Sequence, residues 1–327
     1  MDIPRLISTS DVPHQFLAAS YLVGTIPFKA LRTDPRVSYT LYVPPDHYNP
    51  DPSLQHVEHS ENLSPAYHLP PLPLVVNIHG TRRNAEACRD RLIEFANRSR
   101  VAVLAPLFPG GIDSFNDLHN YKLLRYQSLR SDIAFLDILD EVKVRWPGIA
   151  TEKVFLVGFS GGGTFAHRFM YLHPERLHAV SVGAPGQVTM LDDGVKWPNG
   201  IKDVAEVFHG AVIDKAKIRE LKIQLLVGGA DNEVHGGTEF WEWLAEKRRE
   251  VLKGSGQLND GKGRQGPERM SGDRISNLKR VKSDWEKYGI QCRFDIVDGV
   301  KHESSKAVPL VIDFLQPLVE HQHTRNR

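Results

Sequence analysis

The feature that most constrains this chain is a serine that lies between an apolar run and three glycines. Residues 154–157 are Val-Phe-Leu-Val, a run typical of a buried strand, and residues 158–163 are Gly-Phe-Ser-Gly-Gly-Gly. Residues 164–172 favour a helix, which Pro174 ends. Because the helix must pass close to the strand it leaves, the residues around such a turn must be small. The pattern predicts a strand, a sharp turn at Ser160 and a helix.

This Gly-x-Ser-x-Gly pattern, in its strand–turn–helix context, is typical of a nucleophile elbow. The turn would raise the serine hydroxyl above the sheet, next to a helix N-terminus whose first N–H groups have no intrahelical partner. The alternative interpretation is an ordinary glycine-rich turn between a strand and a helix. Ser160 is therefore the candidate nucleophile.

Strands and helices alternate along most of the chain. Strands are predicted at 19–26, 37–43, 74–78, 101–105, 178–183, 221–227 and 291–297. Helices are predicted at 85–98, 128–146, 164–172 and 305–319. The run at 37–43 alternates polar and apolar residues, which indicates a half-exposed antiparallel strand. The alternation predicts an α/β fold, with a mostly parallel twisted sheet and helices on both of its faces.

The composition is that of a globular protein, with 41% hydrophobic and 25% charged residues among 327. The chain, 1–327, is predicted to form a single domain with two insertions. Residues 187–220 interrupt the alternation and are interpreted as a cap or lid over the sheet edge. Residues 247–282 are glycine-rich and basic, with 11 Lys or Arg against 4 Asp or Glu, and are interpreted as a flexible loop. A nucleic-acid arm is the alternative there, but no aromatic residue interleaves the charges.

Polar residues at the ends of predicted strands supply candidate partners for the serine. Asp231 follows the strand at 221–227, and His302 follows the strand at 291–297. A serine becomes a nucleophile when a base takes its proton and an acid orients that base. The order Ser160, Asp231, His302 is nucleophile, acid, base, and the carboxyl ends of parallel strands meet at one sheet edge. The competing carboxylates are Glu233, Asp295 and Asp298.

Two backbone segments are candidates to stabilise a developing oxyanion. Gly161 follows the nucleophile and offers an N–H at the start of a helix. Thr81 lies in the His-Gly-Thr segment that follows the strand at 74–78, and its hydroxyl is a further candidate donor. His79, in the same segment, is interpreted as a brace for this loop and not as a general base.

The substrate contacts are predicted from residues near the same edge. Four aromatic residues are candidates for an acyl or aryl pocket, with a place in the lid core as the alternative: Phe108, Phe159, Trp197 and Phe208. Arg82 and Arg83 follow Thr81 and are candidates to bind a substrate carboxylate, with solvated side chains as the alternative.

Several function classes are disfavoured. The formal net charge of +1 gives no overall attraction to nucleic acid or to an anionic membrane. The chain shows no metal-ligand spacing and no Gly-x-Gly-x-x-Gly motif, so no metal or cofactor is expected. No stretch resembles a signal peptide or a membrane span, and Cys88 and Cys292 are interpreted as reduced thiols. We expect a cytoplasmic protein that acts on a small molecule; the sequence does not indicate its oligomeric state.

Taken together, these motifs give residues 72–316 a resemblance to the α/β-hydrolase superfamily. Residues 79–84, His-Gly-Thr-Arg-Arg-Asn, and the pentapeptide at 158–162 resemble the branch of feruloyl esterases and polyhydroxybutyrate depolymerases. Members of that branch are often secreted and disulfide-bonded, whereas this chain shows neither feature. The resemblance implies an esterase-like hydrolase acting on a small-molecule ester, thioester or lactone.

Other activities remain open at this point. The same three residues would serve an acyltransferase, a C–C hydrolase, or a lyase or cyclase acting on a polyketide-like metabolite. A binding protein that keeps the hydrolase fold without catalysis is the remaining alternative.

Overall fold

The computed structural model describes residues 5–56, 64–112, 117–231 and 273–325, together with 239, 242–243, 245–247 and 249–250. Within these residues one eight-stranded sheet forms. Its strands are β1 (Gly24–Ala30), β2 (Ser38–Val43), β3 (Leu72–Ile78), β4 (Ala102–Leu107), β7 (Ile149–Phe159), β8 (Leu177–Gly183), β9 (Lys222–Gly228) and β10 (Arg293–Val297). A separate ribbon consists of β5 (Arg125–Tyr126) and β6 (Leu129–Arg130).

The strand order across the sheet is β1-β2-β4-β3-β7-β8-β9-β10. β2 is antiparallel to both β1 and β4, and every other neighbouring pair is parallel. The predicted antiparallel strand is thus confirmed, but its predicted half-exposure is wrong. Tyr39, Thr40 and Leu41 are fully buried, because β1 extends the sheet beyond β2 and Arg89 donates to the Thr40 hydroxyl.

Helices cover both faces of the sheet. They are α1 (Ala85–Asp90), α2 (Ile93–Ser99), α3 (Ser131–Arg145), α4 (Gly161–Leu172), α5 (Val204–Val207), α6 (Lys215–Glu220), α7 (Arg274–Glu286) and α8 (Ser304–Arg325). One buried cluster joins the sheet to α2 and α8, and a larger one joins it to α3, α4 and α7. The predicted layer arrangement is confirmed. In the described residues, no helix combines the length and the apolar composition that a bilayer crossing needs.

Some element boundaries differ from those predicted. β1 begins at Gly24, five residues later than expected, and the helix predicted at 85–98 is two helices that meet at Arg91 and Leu92. α8 runs to Arg325 and keeps Pro309 and Pro317 inside it. The apolar periodicity at 85–98 continues through the break between α1 and α2, so it predicts one helix instead of two. In α8, helix propensity alone would end the helix near a proline, but the helix continues past both.

The two predicted insertions are described to different extents. Residues 187–220 contain α5 and α6 and pack on the α4 side of the sheet, where Arg168 donates to the Thr189 hydroxyl (2.9 Å). The Trp197 indole N–H donates to the carbonyl of Leu123 (3.0 Å). Of the segment 247–282, residues 251–272 lie outside the described residues, and 274–282 form the start of α7. Their roles as a cap and as a flexible loop stay predictions.

Candidate active site

Ser160 connects β7 to α4 with a positive backbone dihedral (φ 58°, ψ −117°). Such a conformation costs a non-glycine residue on the order of 1–3 kcal/mol and persists only where the surroundings fix it. Here the Ser160 N–H donates to the carbonyl of Gly183 (2.8 Å), and the Ser160 carbonyl accepts from the Thr164 N–H (3.0 Å). The turn is therefore held from the neighbouring strand on one side and from the helix on the other.

Three glycines make this turn sterically possible. A Cβ added to Gly162 would overlap the carbonyl oxygen of Ile78, and one added to Gly163 would overlap that of Gly183. A Cβ on Gly158 would overlap the carbonyl of Gly162 itself. The first turn of α4 thus lies directly against the ends of β3 and β8, which accounts for the glycine-rich sequence.

The imidazole of His302 is bonded to a buried carboxylate. Its Nδ1 lies 2.7 Å from Oδ2 of Asp231, which is fully buried beyond the end of β9. An ionised carboxylate only accepts, so Nδ1 donates to it, and in the neutral ring the lone pair is then on Nε2. The ring of His302 lies 5.0 Å from that of Phe159. The structure therefore brings the predicted acid and base together in the orientation that a general base requires.

The second carboxylate oxygen of Asp231 has a partner that the sequence did not indicate. Arg274, the first residue of α7, donates through a terminal guanidinium nitrogen to Oδ1 of Asp231. Only 12% of the Arg274 side chain is exposed. Because its segment was interpreted as a flexible basic loop, this residue was missed. The signal that could have found it is Asp273, a helix N-cap ahead of a run with helical periodicity.

A cavity of about 370 Å³ opens beside Ser160 and His302. Its lining also includes Gly80 and Thr81, from the loop after β3, and Gly183, the last residue of β8. The cavity extends between the sheet, α1 and α8, where its apolar lining residues include Ile78, Ala87, Cys88, Leu92, Val157, Leu226, Ala307, Val308 and Val311. Among the residues that the structure describes, no group of His, Cys, Asp and Glu has the arrangement of a metal site.

The loop after β3 is braced by buried polar side chains. His79 is fully buried, accepts from the Phe108 N–H at Nε2 (3.0 Å) and faces the Gly80 carbonyl with Nδ1 (2.8 Å). Burial lowers the pKa of His79 to about 3, so the ring is neutral. The Arg83 guanidinium turns inward to the carbonyls of Phe108 (2.9 Å) and Thr81 (3.0 Å). His79 and Arg83 hold the loop, and Arg82 lines the cavity.

The four predicted pocket aromatics occupy different places. Phe159 lines the cavity. Phe108 is fully buried and stacks on Tyr121 with ring centroids 5.4 Å apart. Trp197 and Phe208 pack edge to face (5.0 Å) within the segment 187–220 and do not line this cavity. The four side chains therefore do not meet in one pocket around Ser160.

Lys122 is a second residue that the sequence did not indicate. It is 4% exposed, and its ammonium donates to the Thr81 hydroxyl (2.7 Å). Burial, reinforced by the charges of Arg83 and Arg168, lowers the pKa of Lys122 to about 7. The residue lies in a segment without clear periodicity, so the sequence offered no signal that its side chain turns inward.

Comparison with known proteins yields matches of limited identity. No family model matches the chain. Epoxide hydrolase 3 of Xenopus tropicalis is 27% identical over 137 residues, which are 42% of this chain and 34% of that protein. Poly(aspartic acid) hydrolase-1 from Sphingomonas sp. KT-1 has a TM-score of 0.59 at 19% identity, over 85% of this chain and 92% of that one. The poly(3-hydroxybutyrate) depolymerase LpqC from Bordetella parapertussis has a TM-score of 0.58 at 21% identity, over 94% of each chain.

These likenesses establish the fold. The strand order, the single antiparallel strand within the sheet and both structural neighbours define an α/β-hydrolase fold. The fold class expected from the sequence is therefore confirmed. One of the neighbours is a poly(3-hydroxybutyrate) depolymerase, from the branch that the two short motifs resemble. The region matched in the epoxide hydrolase spans about a third of that protein's length.

Replacing Gly162 by alanine should destabilise the turn at Ser160, because the added methyl group meets the Ile78 carbonyl. We expect the free energy of unfolding to fall by about 1–3 kcal/mol, a magnitude typical of overpacking. The matched control is Gly186→Ala, where a Cβ meets no atom within 4 Å. Thermal unfolding followed by circular dichroism measures both variants. Equal melting temperatures for the two would contradict the steric argument.

Proposed function

We propose that this protein is a serine hydrolase that cleaves a small-molecule carboxylic ester, thioester or lactone through an acyl-enzyme intermediate. The observation that carries the proposal is the 2.7 Å bond between His302 and the buried Asp231, beside the cavity that Ser160 lines. Nucleophile, acid and base follow β7, β9 and β10 in the chain order typical of this fold.

In the proposed acylation step, the Ser160 hydroxyl oxygen attacks the substrate carbonyl carbon while Nε2 of His302 takes the hydroxyl proton. Asp231 keeps Nδ1–H of the ring oriented and stabilises the imidazolium that forms. The carbonyl oxygen then carries the negative charge of a tetrahedral intermediate. We assign two donors to this oxygen, the Gly161 N–H and Thr81.

Both assignments have support in the local geometry. Gly161 is the first residue of α4, so its N–H has no acceptor within the helix. Thr81 lines the cavity next to Ser160, in a loop that His79 and Arg83 hold rigid. One such donor is worth about 3 kcal/mol of transition-state stabilisation.

Collapse of the intermediate breaks the bond between the carbonyl carbon and the leaving oxygen or sulfur. His302 returns its proton to the leaving group, which departs as an alcohol or a thiol. Water then attacks the acyl-Ser160 ester and gives its proton to His302. The second collapse releases the carboxylic acid and restores the Ser160 hydroxyl.

The cavity supports a substrate of modest size. A volume of about 370 Å³ with a mixed polar and apolar lining suits one acyl or alkyl arm of a small molecule. Both cysteines are free thiols, which supports the expected cytoplasmic compartment. Acyl transfer, C–C cleavage and lyase chemistry would use the same triad, and no feature of the cavity favours them over hydrolysis.

Ser160→Ala should abolish turnover while leaving the fold intact. We expect kcat/KM for short-chain p-nitrophenyl esters to fall by at least ~10³-fold, because the nucleophile is lost. The matched control is Ser305→Ala, an exposed serine of α8 that lies outside the cavity wall and should keep full activity.

Reaction in ¹⁸O-labelled water tests the deacylation step. Hydrolysis places one solvent oxygen in the acid product, which mass spectrometry detects, whereas acyl transfer to another acceptor does not. Wild-type activity in Ser160→Ala, or an acid product without label, would contradict the proposed mechanism.

A further inference from the structure

Two arginines line the cavity that holds Ser160 and His302. Arg82 follows Thr81 in the loop after β3, and Arg91 follows the last residue of α1; both are exposed. The cavity wall contains these two guanidinium groups and, among the described residues, no aspartate or glutamate. A rim with charges of one sign raises the local concentration of ligands of the opposite sign.

Arg83 and Arg89, the neighbouring arginines, are bonded to backbone carbonyls or to a carboxylate, whereas Arg82 and Arg91 have no carboxylate partner among the described residues. Arg89 is paired with Asp90 (2.7 Å), and Arg83 bonds to backbone carbonyls. Across the part of the chain that the structure describes, neither Arg82 nor Arg91 has a carboxylate within salt-bridge distance. Among the described residues, no nearby carboxylate therefore neutralises the positive charge of these two arginines.

Arg91 is held across the cavity mouth. Its terminal guanidinium nitrogen donates to the Ser304 hydroxyl (2.8 Å), at the start of α8 and two residues after His302. This hydrogen bond places the Arg91 guanidinium between α1 and α8, in the cavity that His302 also lines. A guanidinium fork binds a carboxylate through two parallel hydrogen bonds, which fixes the position of the ligand as well as attracting it.

We propose that Arg82 and Arg91 form a carboxylate subsite, so that the preferred substrate is an ester with a free carboxylate on the arm that enters this cavity. The proposal rests on the hydrolase function proposed above. In this proposal the apolar lining residues contact the carbon chain of that arm, and Arg82 and Arg91 bind its carboxylate.

The test compares two matched substrates, p-nitrophenyl hydrogen adipate and its methyl ester, in which the end of the acyl arm is a free carboxylate or a neutral ester of nearly the same length. For the wild-type protein we expect kcat/KM to favour the free acid by about fivefold, the upper end for an ion pair at an exposed site. Arg91→Gln and Arg82→Gln should each reduce this ratio, mainly by raising KM for the acid. Arg98→Gln, an exposed arginine of α2 outside the cavity wall, is the control.

The outcomes separate the two proposals. A ratio near one in the wild type, or a ratio that the variants leave unchanged, overturns the subsite while the hydrolase proposal stands. If neither substrate is cleaved, or if Ser160→Ala cleaves both normally, the hydrolase proposal itself fails.

Lys122 carries a second inference from a different set of contacts, and this inference too rests on the hydrolase function proposed above. Its ammonium lies 2.7 Å from the Thr81 hydroxyl oxygen and 3.2 Å from Nδ1 of His119. A Cβ added to Gly161 would meet Cε and Nζ of Lys122, so the lysine lies against both groups assigned to the oxyanion. Thr81 lines the cavity and Lys122 does not, so the lysine lies behind the threonine.

The charged side chains that act on Lys122 are both positive, Arg83 and Arg168. Arg83 lies on the loop after β3, and Arg168 of α4 donates to the Lys122 backbone carbonyl (2.6 Å). The Tyr121 ring lies 5.7 Å from the ammonium, and His79 of the same loop is neutral. In the described residues no carboxylate lies within 4.0 Å of Lys122, a rare arrangement for a buried lysine.

We infer that Lys122 is a positioning residue that sets the direction of the Thr81 hydroxyl. An ammonium has donors and no acceptor, so the Thr81 oxygen must accept and its own hydrogen is free to point into the cavity. A neutral amine has a lone pair and can accept that hydrogen, which removes it from the oxyanion. The charge on Lys122 therefore controls whether Thr81 donates to the reacting carbonyl oxygen.

This arrangement predicts a distinctive pH dependence. Because the pKa of Lys122 is lowered to about 7, kcat should fall as the pH rises above this value. Lys122→Met removes the titrating group, so its alkaline limb should be flat, at a kcat about tenfold below the wild-type maximum. The exposed Lys143→Met is the control and should keep the wild-type profile.

A double-mutant cycle with Thr81→Val separates positioning from a structural role. If Lys122 acts through the threonine hydroxyl, Lys122→Met should lower kcat in the wild type and change it less than about twofold in Thr81→Val. Thr81→Ser keeps the hydroxyl and should show the alkaline limb of the kcat profile, which Thr81→Val should lose. Additive losses in the double variant would overturn the inference.

Thermal unfolding supplies the second readout. The pKa of Lys122 is lower in the folded protein than in the unfolded chain, so protonation favours the unfolded chain. The lysine therefore destabilises the fold increasingly as the pH falls from about 10 to about 7. Lys122→Met should melt no lower than the wild type at neutral pH, and a large fall in its melting temperature would mark the lysine as structural.

Discussion

The carbonyl groups at the ends of β3 and β8 leave no room for a side chain on the first turn of α4. Contact between these backbones fixes the path of the chain at Ser160 and forces that residue into a positive φ. The same contact aims the start of α4, with its free N–H groups, at the space beside the serine hydroxyl. A steric requirement for glycine thus places both the proposed nucleophile and part of the proposed oxyanion site.

The remaining groups reach this point because parallel strands end at one edge of the sheet. Asp231 and His302 arrive from β9 and β10, and Thr81 arrives from β3. Each side of the site then has a basic side chain behind it, Arg274 partly buried and Lys122 buried. Arg274 bonds to the carboxylate that orients the proposed base, and Lys122 bonds to the hydroxyl proposed to face the oxyanion. The two basic side chains differ in their partners, because Arg274 bonds to a carboxylate and Lys122 bonds to a neutral hydroxyl.

The sequence predicted the features that depend on strand ends and on local sterics. Ser160, Asp231 and His302 follow strands whose apolar character is plain, and the glycines around Ser160 have one evident cause. Arg274 and Lys122 escaped prediction because their roles depend on which way a side chain turns in the folded chain. The segment around Lys122 is irregular and carries no periodic signal, and the N-cap pattern at Asp273 marks the start of a helix but not the direction in which the Arg274 side chain turns.

The substrate-facing residues were hard to predict for a related reason. Aromatic residues near a sheet edge can enter the core, as Phe108 does, or pack on each other, as Trp197 and Phe208 do. The cavity instead lies between the sheet, α1 and α8, where aliphatic and polar residues form the lining and Phe159 is the one of the four predicted aromatics that reaches it. Only the packing of α8 against the sheet, a contact between distant parts of the chain, creates that space.

The central claim is that Ser160 is an activated nucleophile served by His302. Labelling with a fluorophosphonate, which phosphonylates activated serines, followed by peptide mapping tests this most directly. The account predicts one adduct per chain, on the peptide that contains Ser160, with labelling strongly slowed in His302→Ala. An unlabelled protein, or an adduct on another residue, would contradict it.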